Sequence, residues 1–217
     1  MVRGREAMEV KLIAVTRFLE GRGDPQELLE HAGRVCYRSA KRGEPGRFLQ
    51  NRIREGHESL IEHASLTFEI SGISRACSHQ LVRHRLASYS QESQRYVDMS
   101  DAQWVVPPTI AASPEAMAIW EGALQDLRSA YQALRRLGIP KEDARYLLPN
   151  ATATRLVVTM NFRELRHVFR LRISPQAQWE IRAVAARMLR LAHQVAPDVF
   201  GDLWEELTTA HPEWFEG

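Results

Sequence analysis

The stretch ASLTFEISGISRACSHQLVRHR, residues 64–85, decides the fold class, because it changes from a strand pattern to a helix pattern within a few residues. Residues 64–72 alternate apolar and polar side chains and end in Gly72, which predicts a β-strand with one buried face. Ser74 follows as a candidate N-cap, and residues 74–85 are predicted to form a helix. We therefore expect a chain that combines a sheet with helices.

The same two patterns recur on either side of this stretch. Proline and acidic residues open several predicted helices, and glycine or proline closes them. Strands are predicted at residues 10–19, 64–72 and 151–161, and helices at residues 25–37, 44–56, 74–85, 113–138, 140–149, 161–172 and 175–196. Because no internal repeat, linker or low-complexity segment interrupts them, the sequence predicts one helix-rich α+β domain over residues 1–217.

Composition narrows the function classes. The 217 residues carry a net charge of only +2 and are 44% hydrophobic, as in an ordinary globular protein. Cys36 and Cys77 are too few for a disulfide framework or a metal set, which suits a reducing, cytoplasmic setting. No apolar run approaches the ~18 residues that span a bilayer, and residues 1–15 lack the apolar core of a signal peptide. We therefore expect no membrane association.

Common cofactor motifs are missing from the sequence. No G-x-G-x-x-G follows a predicted strand, and there is no Walker loop. His57 and His63 in GHESLIEH resemble a zinc helix at first sight, but a zinc-binding pair lies four residues apart on one helix face. These two histidines are six apart, which is about 240° around a helix. We therefore expect no metal site.

The segment VRHRLASYSQESQRYV, residues 82–97, concentrates basic side chains and hydroxyl groups. If the predicted helix continues to Arg85, then Arg83 and Arg85 point to different sides and suit two ligands better than one small anion. Two interpretations stay open for this cluster: cations that interact with the dipole at a helix C-terminus, or part of a ligand site. The serines and glutamines that follow, closed by Arg95, favour an ordered loop around a polar, anionic small molecule.

The predicted helix NFRELRHVFRLR, residues 161–172, ends with an arginine on its most apolar face. One stripe at helical spacing contains Asn161, Leu165, Val168 and Arg172. A charge at the end of such a face is costly unless it is paired, so Arg172 is either a snorkelling helix-end residue or a ligand contact. The remaining arginines are expected on the opposite, solvated side: Arg163, Arg166 and Arg170.

The pattern R-H-R, seven residues, then S resembles the signature of the flavin-dependent thymidylate synthases, a family distinct from the synthases that use a cysteine. It is formed here by Arg83, His84, Arg85 and Ser93. Further blocks resemble the same family in order and spacing: GHESLIEH, ARYLLP, MNFRELRHVFRLR and AQWEIR. The resemblance covers nearly the whole chain.

The resemblance implies a fold, a reaction and an assembly. The implied fold is a central, mainly antiparallel sheet with helices, and the implied assembly is a homotetramer whose active sites are shared between subunits. FAD would bind without a Rossmann fold, in agreement with the missing glycine motif. The implied reaction converts dUMP to dTMP with a carbon from methylenetetrahydrofolate, while NADPH reduces the flavin.

The resemblance also implies site residues. For dUMP these are Gln80, Leu81, Val82, Arg83, Gln91, Glu92, Ser93, Gln94, Arg95, Arg145 and Arg172, with Ser93 and Arg95 at the phosphate. For FAD they are Ser59, Arg83, His84, Arg85, Gln91, Asn161, Phe162, Arg163 and His167. Arg172 is implied as the active-site arginine that holds uracil in its ionised form. Some family members have Glu in place of Gln91, so in this sequence the carboxylate is lost at this position or displaced to Glu92.

The implied chemistry agrees with the residues themselves. Carbon 5 of uracil is a poor nucleophile, and neither Cys36 nor Cys77 lies in a loop beside a candidate base. A fixed cation such as Arg172 in a dry site is the alternative. Two rival hypotheses are a flavin-binding protein of this fold without synthase activity and a nucleic-acid-binding module. The near-zero net charge and the 8% aromatic content count against the second.

Overall fold

An antiparallel sheet of four strands, flanked by helices, is the framework of the computed structural model, which describes residues 7–39 and 45–215. The strands are hydrogen-bonded in the order β1-β2-β4-β3. Their bounds are β1 (Glu9–Val15), β2 (Ser65–Ser74), β3 (Ala87–Gln91) and β4 (Ala153–Asn161). The α+β class predicted from the sequence is therefore confirmed.

The helices account for most of the remaining chain. They are α1 (Pro25–Tyr37), α2 (Pro45–Arg54), α3 (Arg75–Leu81), α4 (Pro108–Ala111), α5 (Pro114–Arg136), α6 (Lys141–Ala144), α7 (Phe162–Arg172), α8 (Trp179–Val195) and α9 (Pro197–Ala210). Short 3-10 segments occupy Glu58–His63, Arg145–Leu147 and Pro212–Trp214. Among the helices in the described ranges, none has the length and apolar character needed to cross a membrane.

Alternation of side chains explains the two long strands. Leu66 and Phe68 of β2 and Val158 of β4 are fully buried. Their neighbours Thr67 and Thr159 point to the other face, where the two hydroxyl oxygens lie 2.9 Å apart and share a hydrogen bond. A slip of one residue would exchange these faces and expose the apolar side chains, so the alternating pattern also determines the register.

Local capping signals place several helix ends where the sequence predicts them. Ser74 Oγ accepts a hydrogen bond from the Cys77 backbone N–H at 3.0 Å, and Ser113 Oγ accepts from the Ala116 N–H at 3.2 Å. These hydroxyls satisfy backbone N–H groups that a helix leaves unpaired at its start. The predicted N-cap of α3 is therefore confirmed, and Ser113, the first residue of the helix predicted at residues 113–138, is the N-cap of α5. Gly138, predicted to follow the end of α5, adopts a φ of +82° that favours glycine.

Other element predictions are wrong in extent or in type. Strand β1 ends at Val15, not at residue 19, and α3 ends at Leu81, not at residue 85. Residues 87–91, expected within a loop, form strand β3 because they pair with β4. Helix α9 has no counterpart in the prediction.

Two helix starts also differ from the prediction. Helix α8 begins at Trp179, not at Pro175, because the Gln178 side chain is its N-cap and accepts from the Glu180 and Ile181 N–H groups. The predicted helix at residues 44–56 corresponds to α2, and its first residue lies outside the described residues.

The chain divides into two compact units. Among the described residues, the first comprises those up to Glu9, Ser71–His79 and Ser90–Leu156, and the second comprises those between Val10 and Ile70, Gln80–Tyr89 and those from Val157 onward. The assignment of residues 1–217 to one domain stays a prediction.

Each unit has its own apolar core. In the first, the buried cluster consists of Met99, Ala102, Tyr131 and Ala144, with Trp104, Leu134, Ile139 and Leu148 packed against it. In the second, α7, α8 and α9 pack on one another. The Phe200 ring lies 5.1 Å from that of Phe162 and 5.8 Å from that of Phe169, distances typical of favourable aromatic contacts.

The packing of α9 overturns one prediction about α7. Arg166, expected on a solvated face, is fully buried. Its two terminal nitrogens each donate to a carboxylate oxygen of Asp202 at 2.6 Å, and it also donates to the Val199 carbonyl. Arg163 and Arg170 are exposed, as predicted. The expectation failed for Arg166 because α9, which has no counterpart among the predicted helices, covers this part of α7.

Candidate active site

The turn after α3 positions the R-H-R motif. The carbonyl of Gln80 accepts from Arg172 Nη2 at 3.2 Å, and that of Leu81 accepts from the Tyr89 hydroxyl at 2.8 Å. The last carbonyls of a helix lack i+4 partners, and here these two side chains and the N–H groups of the following turn supply them. The helix therefore ends before the motif, and Arg83 and Arg85 lie in a turn, not on the helix that the sequence predicted.

Arg172 is held in place by protein groups at two of its nitrogens. Its Nε donates to His84 Nε2 at 2.9 Å, and its Nη2 donates to the Gln80 carbonyl. Within the described part of the chain, Nη1 has no hydrogen-bond acceptor. The predicted active-site arginine is thus an oriented, half-buried cation with one terminal nitrogen available to a ligand.

His84 is 4% exposed and lies beside three charged or titratable side chains of α7. Besides Arg172, these are Glu164, whose Oε1 is 3.6 Å from His84 Nδ1, and His167, whose ring centre is 5.7 Å away. The pKa of His84 is lowered from 6.5 to about 4, because burial disfavours the charged ring and because Arg172 and His167 repel a further positive charge. The imidazole is therefore neutral at neutral pH.

Burial also affects the tyrosine that closes this turn. The Tyr89 hydroxyl donates to the carbonyls of Leu81 and His84, and its pKa is raised above the usual range by burial and by the nearby Glu164. Tyr89 therefore stays protonated and keeps its donor role. The residues Gln80, His84, Tyr89, Glu164 and Arg172 all belong to the second unit, and we call them the arginine–histidine group.

Arg83 and Arg85 flank the buried histidine but are themselves exposed. Among the residues that the structure describes, neither guanidinium has a protein acceptor. Two uncommitted guanidinium groups on one turn provide donors for a phosphate or pyrophosphate. Of the other predicted dUMP contacts in this unit, Leu81 is buried, and Gln80 and Val82 are partly buried.

A second set of predicted residues lies in the first unit. Ser93 Oγ accepts from the Arg95 backbone N–H at 3.2 Å. Arg95 Nε donates to a Glu142 carboxylate oxygen at 3.2 Å, and Arg145 Nε donates to the Glu142 carbonyl at 3.1 Å. The fold thus brings together residues from two distant stretches of sequence. We call Ser93, Arg95, Glu142 and Arg145 the serine–arginine group.

Arg75, which was not among the predicted site residues, also lies near this group. Its pKa is lowered by burial and by the positive charge of Arg145, while Glu92 opposes the shift. Mutual repulsion of two arginines is relieved when an anion binds between them. Arg75 is the first residue of α3, twenty residues before Arg95, so only the folded structure could associate it with the group.

Gln91 is partly buried, and its side-chain amide already forms hydrogen bonds within its own unit. Its Nε2 donates to Ser78 Oγ at 2.9 Å and to Thr154 Oγ1 at 3.2 Å. Both amide hydrogens are therefore committed, and the carbonyl oxygen is the part left for a ligand. Glu92 is exposed, and Gln94 is partly buried.

The remaining predicted FAD residues lie in the second unit and differ in their exposure and in the contacts that they already make. Asn161 Oδ1 is the N-cap of α7 and accepts from the Glu164 N–H at 2.8 Å, and the Phe162 N–H donates to the Ala64 carbonyl. Arg163 is exposed and pairs with Glu62 and Glu58. Ser59 and His167 are exposed. A ligand phosphate at Arg163 would have to replace the Glu62 carboxylate.

The two cysteines differ in exposure. Cys77 is fully buried within α3, and Cys36 is exposed on α1. Within the described ranges, no group of three His, Cys, Asp or Glu side chains is placed to hold a metal ion.

Fold and site together define a class of protein. The protein has an α+β fold, and oriented arginines lie in both of its units. Its sequence contains no Rossmann phosphate loop. Such arginines are typical of proteins that bind anionic, nucleotide-like ligands.

Comparison with known proteins makes this class specific. Residues 12–198 match the family model described as thymidylate synthase complementing protein. A Geobacter sulfurreducens protein is 48% identical over 196 residues, covering 85% of this chain and 84% of the relative. Proteins of Nitratidesulfovibrio vulgaris and Mycolicibacterium gilvum are 44% and 42% identical, covering 82% and 90% of this chain and 81% and 89% of the relatives. All three are named flavin-dependent thymidylate synthase.

The chain therefore belongs to the flavin-dependent thymidylate synthase family, and the resemblance found in the sequence is confirmed.

Proposed function

We propose that this protein is a flavin-dependent thymidylate synthase that converts dUMP to dTMP. Methylenetetrahydrofolate is the proposed carbon donor, and NADPH is the proposed reductant. The observation that carries the proposal is Arg172, a half-buried guanidinium oriented by His84 and Gln80 with Nη1 left for a ligand. Family membership supports the same reaction.

Arg172 is proposed as the residue that activates uracil. Negative charge on the ring raises the nucleophilicity of carbon 5, and an oriented cation in a site of low polarity stabilises that charge. Because the side chain is held before substrate arrives, little reorganisation is needed during the reaction. This role needs no cysteine nucleophile, and the fully buried position of Cys77 agrees with that.

The phosphate of dUMP is assigned to the serine–arginine group. Ser93, Arg95 and Arg145 supply a hydroxyl and two guanidinium groups, and Arg75 adds positive charge. Charge-assisted hydrogen bonds to a phosphate dianion are stronger than neutral ones. The other proposed dUMP contacts are Gln80, Leu81, Val82, Arg83, Gln91, Glu92, Gln94 and Arg172.

FAD is the proposed cofactor, and the residues present fit it. The exposed guanidiniums of Arg83 and Arg85, which have no acceptor among the described residues, match the charge of a pyrophosphate. FAD, when bound, supplies the hydride that reduces the transferred carbon to a methyl group. The other residues proposed to hold it are Ser59, His84, Gln91, Asn161, Phe162, Arg163 and His167. His84 is almost fully buried, so its part is expected to be indirect.

The proposal extends to assembly and location. We propose a homotetramer in which neighbouring subunits complete each active site, and a cytoplasmic location. The family resemblance supports the tetramer, and the reducing setting inferred from the low number of cysteines supports the location.

A tritium-release assay tests the reaction itself. The purified protein would be mixed with dUMP tritiated at carbon 5, methylenetetrahydrofolate and NADPH, because replacing the hydrogen at carbon 5 releases tritium to water. We expect release together with dTMP formation. A yellow protein that binds flavin yet releases no tritium would instead be a flavin-binding protein of this fold without synthase activity. A colourless protein that retains nucleic acid would support the hypothesis of a nucleic-acid-binding module.

A further inference from the structure

We infer that Glu164 and His84 are positioning residues for Arg172, with the Glu164 carboxylate holding His84 in the tautomer whose Nε2 accepts from the arginine. The inference rests on the proposed function, because it concerns the residue proposed to activate uracil. Neither residue is proposed to touch the reacting atoms.

The hydrogen bond from Arg172 shows which tautomer His84 adopts. Arginine has N–H donors and no acceptor, so the 2.9 Å contact from Arg172 Nε requires a lone pair on His84 Nε2. A neutral imidazole with a bare Nε2 carries its proton on Nδ1. That nitrogen is the one 3.6 Å from Glu164 Oε1. The ring therefore accepts a hydrogen bond at Nε2 and directs its Nδ1 proton toward a carboxylate, which lies at ion-pair distance and beyond hydrogen-bond length.

Position along α7 explains why the histidine is needed. Glu164 and Arg172 lie eight residues apart on the same helix, which is about 12 Å along its axis. His84 comes from the turn after α3 and lies between them, in contact range of both side chains. The ring thus transmits the influence of a carboxylate in the first turn of the helix to an arginine in its last turn.

Burial makes this arrangement strong enough to matter. Glu164 is 7% exposed and His84 is 4% exposed, so water competes little for their polar groups. Electrostatic interactions are stronger in such surroundings than in water. The charged or titratable groups that face His84 are Arg172, Glu164 and His167 from α7, and the Tyr89 hydroxyl donates to its carbonyl from β3.

Removing the carboxylate should change the tautomer. Without Glu164, the described residues offer no carboxylate at Nδ1, and only the Arg172 N–H at Nε2 still favours a proton on Nδ1. A proton on Nε2, which would point at that N–H, then becomes the competing state. Two donors facing each other repel, so the guanidinium would turn away and keep only the Gln80 carbonyl. Glu164→Gln keeps an amide oxygen that can accept from Nδ1–H, whereas Glu164→Ala keeps no acceptor. The two variants therefore separate loss of charge from loss of the contact.

Nitrogen-15 NMR of the full-length, FAD-loaded protein tests the inference without using activity. The ring-nitrogen shifts distinguish the two tautomers, and the His84→Gln spectrum identifies which of the eight histidines is His84. From about pH 5 to 8, we expect a neutral ring protonated on Nδ1 in the wild type and in Glu164→Gln, and a change to Nε2 protonation in Glu164→Ala. The Arg172 Nε–H should exchange slowly with water in the wild type and faster in Glu164→Ala.

A matched control is Glu180→Ala. Glu180 is also a buried glutamate in the first turn of a helix, α8. Its removal should cost stability but leave the tautomer of His84 and the exchange of the Arg172 N–H unchanged. General loosening of the fold would instead affect both variants alike.

Steady-state kinetics provide a second test of the inference. Glu164→Ala should lower kcat for dTMP formation by about 10- to 100-fold, the range for partners that orient a functional group, with a much smaller change in KM for dUMP. Glu164→Gln should retain most of the activity. His84→Gln can place an amide oxygen near the position of Nε2, whereas His84→Asn can place its amide only near Nδ1, so His84→Gln should be the more active of the two.

Each outcome decides the inference. A charged or Nε2-protonated His84 in the wild type overturns it, as does Glu164→Ala with an unchanged tautomer. A changed tautomer with unchanged kcat also overturns it, because Arg172 would then need no such positioning. If the wild type forms no dTMP, the proposed function fails, and the Arg172 exchange rates alone decide whether Glu164 and His84 hold the guanidinium.

Discussion

At the scale of residues, the surroundings of Arg172 decide what this side chain can do. A helix-end arginine in water samples many rotamers, and immobilising it costs entropy. Here two acceptors fix the guanidinium before any ligand binds. The sequence left open whether Arg172 snorkels to solvent or contacts a ligand, and its bonds to His84 and Gln80 exclude free snorkelling.

Replacing Arg172 should affect turnover more than folding. Arg172→Ala should keep its FAD and still be reduced by NADPH, but it should lose dTMP formation by about a hundredfold or more, the scale for removing one charge-stabilising donor. Arg172→Lys should restore activity only in part, because lysine lacks the planar fork. Steady-state dTMP formation at saturating dUMP measures this, and near-normal turnover in Arg172→Ala would show that uracil is activated elsewhere.

Ser93 should act as a phosphate ligand and not as a nucleophile. Ser93→Ala should weaken dUMP binding by about 1–2 kcal/mol, the scale of a hydrogen bond to a charged group, while turnover at saturating dUMP persists. Isothermal titration with dUMP measures the first effect. Ser129→Ala, an exposed serine of α5, is the control. Intact binding with abolished turnover in Ser93→Ala would instead indicate a nucleophile.

At the scale of elements, α7 combines two functions on opposite sides. One side carries Glu164 and Arg172 toward His84, and the other carries Arg166 into contact with α9. Both sides are needed for a well-oriented arginine, because a helix that moves by a fraction of a turn carries all its side chains with it.

Arg166 should therefore be a major stabilising residue of the second unit. Arg166→Ala should lower the free energy of unfolding by about 3 kcal/mol, since it leaves a cavity and removes bidentate hydrogen bonds to Asp202. Urea denaturation measures the loss. The exposed Arg170 pairs with Glu58 at 3.4 Å, and Arg170→Ala should cost less than about 1 kcal/mol. Equal losses in the two variants would contradict the assignment of Arg166 to the core.

The turn that holds His84 should make stability depend on pH. Its pKa is 6.5 in an unfolded chain and about 4 in the folded protein. Between these values the unfolded state binds the extra proton, so the free energy of unfolding falls as pH decreases from about 6.5 toward about 4. Urea titrations at several pH values should show a smaller decrease in His84→Gln than in the wild type. Parallel curves for the two proteins would mean that His84 titrates normally.

At the scale of the whole molecule, the predicted FAD contacts are expected to be shared. The family resemblance implies that Ser59 and Arg83 reach the same flavin from two different subunits. Both residues are exposed, and Arg83 has no acceptor among the described residues. Contacts with a ligand bound between subunits would give these side chains partners.

FAD occupancy should accordingly depend on assembly. On dilution, or after substitutions that produce monomers, the flavin should be released as the oligomer dissociates, because one subunit alone would supply only part of the site. Size-exclusion chromatography with absorbance read at the flavin band measures this. A monomer peak with full flavin content would contradict the prediction that the sites are shared between subunits.

Local signals in the sequence determined the parts of this protein that depend on near neighbours. Alternation over residues 64–72 predicted β2, and the β-branched run at residues 151–161 predicted β4. Ser74 predicted the start of α3, and the serine, proline and glutamate at residues 113–115 predicted that of α5, since a cap involves only residues three positions away. The R-H-R motif and the blocks around it were sufficient to recognise the family.

Only the tertiary structure decided the features that depend on distant partners. Helix α3 ends at Leu81, where Arg172 and Tyr89 donate to its last two carbonyls. Residues 87–91 become a strand by pairing with β4, Arg166 is buried by α9, and Arg75 lies near Arg145. The contact between Glu164 and His84 joins residues eighty positions apart. Periodicity and capping report the environment of a residue along its own element, whereas burial and pKa depend on which other elements pack against it.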